Sequence, residues 1–497
     1  MESMDNEFIK KEGQIFPGKT YVEELLKPVF NDQRDYLFHV MFDIHRAHVI
    51  MLEEQKIIKR DDAKRMLEGI NKAAKTDTAF LTYDPQFEDL FFMMEAKIAV
   101  EIGEELAGKI HMGRSRNDMG VAMYRIVLRE HLLQLLGNCY QLGEGLLEKA
   151  EQHKETYMTA YTHTQPAQPT TLGHYFLAIY DVLMRDIQRV WSAYETVNQS
   201  PLGAAALSTT GFPISRTRTC ELLGFDKIIE NSYDSIAGAD YLIEAATTLM
   251  TCMVNTGRWI QDFLLHVSRE FGSFIVADAY VQISSIMPQK RNPVSVEHSR
   301  ALASSSYGDA LAAIQMIHNT PFGDIVDTED DLQPHLYRAF AKANRVMKIM
   351  YAVVKTLKVN EEYLKVMSQK SCITITELAD TLTRNYEIPF RKAHSIASTI
   401  SKKTIQTQKE LYDWKVEDIN SMIKDMADVT LSEEEWKKII SSEHFVEVRR
   451  IQGGPNPLEV KRMTEDRKFS LEKCLKEYQQ NVGKIARTRQ QLIEFTL

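Results

Sequence analysis

Between Leu242 and Val267 the positions Leu242, Ala246, Leu249, Met253, Thr256, Ile260, Phe263 and Val267 recur every three or four residues, the repeat of one helix face. The stripe lasts about seven turns at 3.6 residues per turn. From Met119 to Lys154 a comparable period runs through Val127, Leu128, Leu132, Leu135 and Leu136. Proline permits both, because none occurs between Pro85 and Pro166 or between Pro213 and Pro288, and a third gap separates Pro389 from Pro455. Helices this long in a soluble protein lie in a bundle with similar neighbours, so the pattern predicts an all-α fold with a central long-helix bundle. The first hundred or so residues and the part after Asn360 read as shorter, more charged helices. The chain is therefore expected to divide into an N-terminal helical domain (1–112), a central bundle (113–360) and a C-terminal helical domain (361–497). The Val/Ile/Thr alternation and Asn-Gly or Asp-Gly turns that announce sheets are missing.

Composition narrows the partners. A chain of 497 residues with 44% hydrophobic and 26% charged content is ordinary for a globular protein. A net charge of -9 leaves no broad basic field to hold nucleic acid, though a local basic pocket for a small anion is compatible with it. Cys139, Cys220, Cys252, Cys372 and Cys474 are far apart, with no CxxC pair, and are expected to be reduced thiols. The opening residues MESMDNEFIKKEGQ are charged, and no apolar run approaches the roughly 18 residues of a membrane span. A cytoplasmic, membrane-free protein is the expectation. Residues 13–20, GQIFPGKT, match the phosphate-loop pattern. That pattern works between a buried strand and a helix, whereas polar residues precede it here and Pro17 interrupts it, so the match reads as chance.

Four polar segments fall between helical runs: HMGRSRND (111–118), YTHTQPAQPT (161–170), PLGAAALS (201–208) and QISSIMPQKRNP (282–293). They supply Arg114, Arg116 and Lys290 as cations, Asn117 and Asn292 as amides, Thr162, Ser284 and Ser285 as hydroxyls, and His163 as a titratable group. That inventory suits a small carboxylate-rich substrate. Singly, each has a plain explanation: a solvated loop histidine, surface arginines, a serine pair capping a helix. Their joint occurrence carries the functional reading.

SSIMPQKRNP resembles the signature of the fumarase and aspartase superfamily, with Ser284, Ser285, Met287, Lys290, Asn292 and the later Glu297 in its places. HMGRSRND, YTHTQPAQP, PLGAAAL and PFRKAH (389–394) are similar to further motifs of the argininosuccinate lyases, and the likeness runs from about Ala47 to Gly454. It implies a carbon–nitrogen lyase that eliminates fumarate from an N-substituted aspartate, without metal or cofactor. It also implies a homotetramer whose active sites collect loops from three chains, so that a monomer would be inactive. By the same resemblance Ser284 is the base, on a flexible loop expected to close over substrate. A serine hydroxyl is a poor base at neutral pH, so its anion needs nearby cations and N–H groups. Lys290 fits that need. Lys290, Asn292 and Thr162 would hold substrate carboxylate, where charge grows as the carbanion forms, with Ser285 beside them. His163 matches the histidine paired with the signature glutamate, here Glu297, and would orient substrate or help protonate the leaving nitrogen. Ser115, Arg116 and Asn117 complete the substrate loop.

Two segments depart from the family. Its FNxSIxxDxxL stretch reads PVFNDQRDYL here (28–37), with Asn31 and Asp35 out of step and the serine absent. Its YNKDLQEDKEP stretch reads DIVDTEDDLQP (324–334), so Asp324, Glu329 and Leu332 stand where tyrosine, glutamine and lysine are usual. The fumarate side is intact and the leaving-group side altered. Three readings follow: a divergent argininosuccinate lyase; an aminopolycarboxylic acid lyase whose Asp324 or Glu329 faces a cationic amine; or a catalytically silent structural relative. The plain account of the acidic run is a solvated turn before a helix, where carboxylates suit the N-terminal dipole.

Overall fold

The computed structural model describes residues 2–497, and side chains from Glu7 on. Five long helices form the centre: Arg116–Gln152, Leu172–Val197, Asp240–Val267, Val294–Ile317 and Gln333–Thr356, here the first to fifth bundle helices. The repeats read from the sequence fall within the first and third. Their direction alternates. Arg125 near the start of the first donates to the Thr196 carbonyl at the end of the second (2.9 Å), and Tyr175 at the start of the second donates to Asp262 near the end of the third (2.6 Å). The first and fifth run parallel, joined at mid-length by Asn138 to Asn344 (2.7 Å) and at their ends by Lys149 to the Leu357 carbonyl (3.0 Å).

Leu132, Leu136, Phe176, Leu249, Phe263, Phe340 and Met347 meet in the bundle core, each at most 2% exposed. A second core gathers the N-terminal helices around Phe38, Ile44, Met66 and Met94, and reaches the start of the first bundle helix through Met119 and Ala122. A third, around Leu378, Ile396, Ile419 and Trp436, belongs to the shorter helices after the bundle. The last helix, Pro457–Ile493, leaves that third body and lies along the bundle, where Val460, Met463 and Leu471 join the central core.

β structure is confined to two-stranded ladders among the described residues. The largest pairs Tyr157–Thr162 with Gln165–Thr171, a hairpin that its prolines and glutamines conceal in the sequence. The helix Glu2–Glu12 precedes GQIFPGKT, and the Thr20 amide and hydroxyl donate to the Glu12 carboxylate at 2.9 and 2.7 Å. An acid stands where a phosphate would have to sit. Four cysteines are buried and all five are free thiols. No described helix is long and apolar enough to cross a membrane.

Candidate active site

The polar segments collect at the two ends of the bundle. At the first end, Ser115 caps the first bundle helix: its hydroxyl accepts from the Asn117 amide (3.3 Å) and donates to the Asn117 side chain (2.9 Å). Asp118, fully buried, closes the capping box and does more. Its carboxylate accepts backbone N–H bonds from Ser115 (2.9 Å), Gly203 (2.9 Å) and Ala205 (3.1 Å), tying the 111–118 loop to the 201–208 loop. Asn117 Nδ2 donates to Asp324 at 2.7 Å. The altered acidic segment therefore touches the expected substrate loop directly. Glu329 donates to Asp324, and burial followed by that acidic neighbour pushes its pKa up to about 8. Asp330 accepts from Gln33 (3.1 Å) and, more loosely, from the Tyr124 hydroxyl (3.5 Å).

Arg116 does not point a free guanidinium at this group. It is held by Asp89 at 2.9 Å and Glu88 at 3.3 Å, with Cζ 4.7 Å from the Phe92 ring centroid. Asn31 and Asp35 both accept from Arg34, at 3.1 and 2.8 Å, and from the same segment Gln33 reaches Asp330 of the acidic run.

At the other end, strands Gln282–Ile283 and Arg291–Asn292 pair, and the signature loop spans them. Ser284 is half-buried, and its Oγ accepts N–H bonds from Met287 (3.1 Å) and Ile286 (3.4 Å). Two N–H donors thus face this oxygen, an arrangement that favours an anion there. Ser285 through Lys290 are exposed. A cavity of about 1030 Å³ lies beneath, lined by Lys290, Asn292 and Glu297 together with Arg269 and Arg300. Glu297 is in the first turn of the fourth bundle helix. Thr162 and His163 sit exposed at the tip of the large hairpin, His163 with φ 50°. Tyr161 packs on Phe271 at 5.6 Å, which brings the hairpin to this same end. Among the described residues, no hydrogen bond or ion pair joins His163 to Glu297 within one chain.

The two groups are far apart. The first bundle helix separates Arg116 from the hairpin by 37 residues, about 55 Å at 1.5 Å per residue. The fourth carries the chain about 30 Å from Glu297 to its far end, on the side of the acidic segment. Within one chain the two groups stay at opposite ends of the bundle. Sequence reasoning passed over Asp118, Gln33, Glu88 and Asp89. Only the first left a signal, the Ser-x-x-Asp spacing of a capping box.

Comparison with known proteins agrees with the fold and the motifs. The Lyase family matches residues 48–308 and the family Argininosuccinate lyase C-terminal matches residues 372–447. The chain is 39% identical over 445 residues to argininosuccinate lyase 2 of Agrobacterium fabrum, covering 89% of this chain and 88% of that protein. It is 35% identical over 466 residues to argininosuccinate lyase of Methanocaldococcus jannaschii, covering 94% and 95%. Among solved structures, an EDDS lyase variant with bound fumarate superposes with a TM-score of 0.84 at 30% identity over 94% of each chain. The class II fumarase of Schistosoma mansoni shares the fold alone, at a TM-score of 0.65 and 15% identity, over 83% of this chain and 90% of that one. The chain belongs to the argininosuccinate lyase family of the fumarase/aspartase superfamily and is a carbon–nitrogen lyase.

Proposed function

We propose that this enzyme eliminates fumarate from an N-substituted aspartate whose other product is an amine with a second positive nitrogen, and that it works as a homotetramer. Ser284 Oγ takes the proton from the carbon beside one substrate carboxylate, and the electron pair moves onto that carboxylate. The pair then forms the carbon–carbon double bond as the neighbouring carbon–nitrogen bond breaks, and the nitrogen leaves with a proton. Lys290, Asn292 and Thr162 stabilise the carboxylate charge, and Ser285 lies beside them. His163, set against Glu297 of another chain, serves the leaving nitrogen or orients substrate. Ser115 and Asn117 hold the substrate from the opposite bundle end, and Arg116 joins them once it exchanges an acidic partner for substrate carboxylate.

The tetramer is supported by the separation of the two groups within one chain. It is also supported by Val254 and Leu265 on the third bundle helix, 49% and 41% exposed in a single chain, apolar positions that require burial against another surface. Free cysteines fit a reducing, cytoplasmic setting.

The leaving-group assignment is carried by the 2.7 Å Asn117–Asp324 bond. It puts the acidic pair Asp324 and Glu329 against the substrate loop, where relatives of the argininosuccinate type carry tyrosine and glutamine. A cation meets a partner there, and a carboxylate meets like charge in a partly buried place. A mismatched contact of this kind costs about 1–3 kcal/mol, roughly tenfold to a hundredfold in specificity. Fumarate release, followed by absorbance, should give a kcat/KM for an aspartate adduct of a diamine above that for argininosuccinate by about that factor. A clear preference for argininosuccinate would return the acidic run to a surface role.

A further inference from the structure

The mechanism leaves Arg291 of the signature run unused. It stands at the foot of the loop, between Lys290 and Asn292, and its guanidinium reaches back to one segment of chain: Nη2 donates to the Val276 carbonyl (2.9 Å) and Nη1 pairs with Asp278 (2.5 Å). Further on, the Ser295 hydroxyl donates to the Tyr280 carbonyl (2.8 Å). The segment they grip is fixed. Phe274 and Val276 are each 2% exposed, Phe274 packs on Phe263 of the bundle core at 5.1 Å, and Phe274–Ile275 pairs with Lys358–Val359. The trailing strand of the loop, Arg291–Asn292, is thereby tied to the core, whereas Ser285 through Lys290 are exposed.

Successive strand side chains leave opposite faces. Held toward Val276 and Asp278, Arg291 turns Asn292 to the other face and fixes the peptide bond from which Lys290 departs. A guanidinium suits this task because its N–H groups lie in one rigid fork, so that one side chain holds a carbonyl and a carboxylate together; an ammonium is a point donor on a flexible stem. The Asp278 contact adds little alone, because that side chain is 85% exposed. The bond to the Val276 carbonyl, beside the buried core, gives the grip its direction.

We propose that Arg291 is a positioning residue for the elimination: its grip on residues 276–278 holds the trailing strand of the signature loop so that Lys290 and Asn292 meet the substrate carboxylate together. Arg291 itself touches neither the reacting carbon nor the leaving nitrogen. The proposal rests on the reading of Lys290 and Asn292 as carboxylate ligands, and a Lys290 variant separates the two.

Succinate, a dicarboxylate of fumarate's length that cannot react, is the probe, and its inhibition constant Ki on the intact oligomer reads carboxylate binding apart from turnover. In Arg291→Met, Ki should rise about tenfold and kcat fall about 10²-fold, the scale of a small misplacement, with the melting temperature unchanged. A loss of correctly folded sites would lower kcat and leave Ki at its wild-type value, so that pattern overturns the proposal. Arg291→Lys returns the charge without the fork and serves also if Arg291→Met fails to assemble; it should stay about tenfold below the wild type in kcat, and wild-type kcat and Ki in this variant overturn the anchoring. Arg291 also lines the cavity under the loop. Were it a direct ligand, Asp278→Ala would free it and lower Ki, whereas anchoring predicts a Ki unchanged or raised. Lys290→Met should raise Ki at least as much as Arg291→Met. An unmoved Ki in Lys290→Met overturns the carboxylate reading of Lys290; a raised Ki there beside wild-type constants in Arg291→Met overturns the positioning role alone.

Discussion

In the proposed mechanism Ser284 carries the largest chemical demand, because a hydroxyl must take a carbon-bound proton. The N–H groups of Met287 and Ile286 already aim at its oxygen. Ser284→Ala should leave the oligomer folded and lower turnover by about 10³-fold, the scale of losing a positioned base. Near-normal turnover would remove Ser284 from the mechanism. At Glu329 the prediction concerns pH. Its carboxyl ionises only around pH 8 in the folded chain, against 4.5 ordinarily. Because the folded pKa is the higher, its contribution to stability is full below about pH 4.5 and is lost as pH rises to 8. Wild-type melting temperature should therefore fall over that window relative to Glu329→Gln. Over pH 7 to 9, kcat/KM for a diamine adduct should rise more steeply in the wild type, since the ionised carboxylate is the form that pairs with a cation. Superimposable profiles would mean that Glu329 neither titrates there nor meets the substrate. At this scale the sequence was informative wherever a motif fixes neighbours in the chain, as it does for Ser284 and Lys290. It was silent on Arg116, whose partners Glu88 and Asp89 lie 28 and 27 residues away, and the fold alone could reveal that its charge is already engaged.

At the scale of elements, long helices were legible because a buried stripe and the absence of proline impose one period over many turns. The 157–171 hairpin was not. Its second strand, QPAQPTT, has no Val/Ile alternation and two prolines, yet pairs with Tyr157–Thr162 through a register irregularity at Ala160 and Tyr161. Residues His163 and Thr164 turn it with positive φ, an arrangement that nothing in their side chains announces. Asp118 governs the loops at the opposite end. Asp118→Ala would strand three backbone N–H groups and free both the 111–118 and 201–208 loops. A loss of about 1–3 kcal/mol in unfolding free energy is expected, together with a raised KM. An unchanged KM would reduce Asp118 to a purely structural cap. The domain limits at 112 and 360 were drawn from the change between long central helices and shorter, more charged ones. We retain them as a proposal with one amendment: the Pro457–Ile493 helix packs on the bundle rather than with the C-terminal body.

For the whole molecule, the decisive geometry is the length of the bundle helices. Motifs that the family resemblance sets in one catalytic group are held about 30 to 55 Å apart by helices of 24 and 37 residues. A sequence lists its motifs in order but not the ends to which they travel, so this separation was invisible without the fold. The proposed function requires partner chains to supply the missing half of each site. Subunit exchange between Arg116→Ala and Ser284→Ala oligomers tests that most directly. Each variant alone should be nearly inactive, and mixed oligomers should recover a measurable part of wild-type fumarate release, because some of their sites combine an intact Arg116 from one chain with an intact Ser284 from another. Mixed oligomers, verified by mass, that stay as inactive as their parents would contradict sites built across chains.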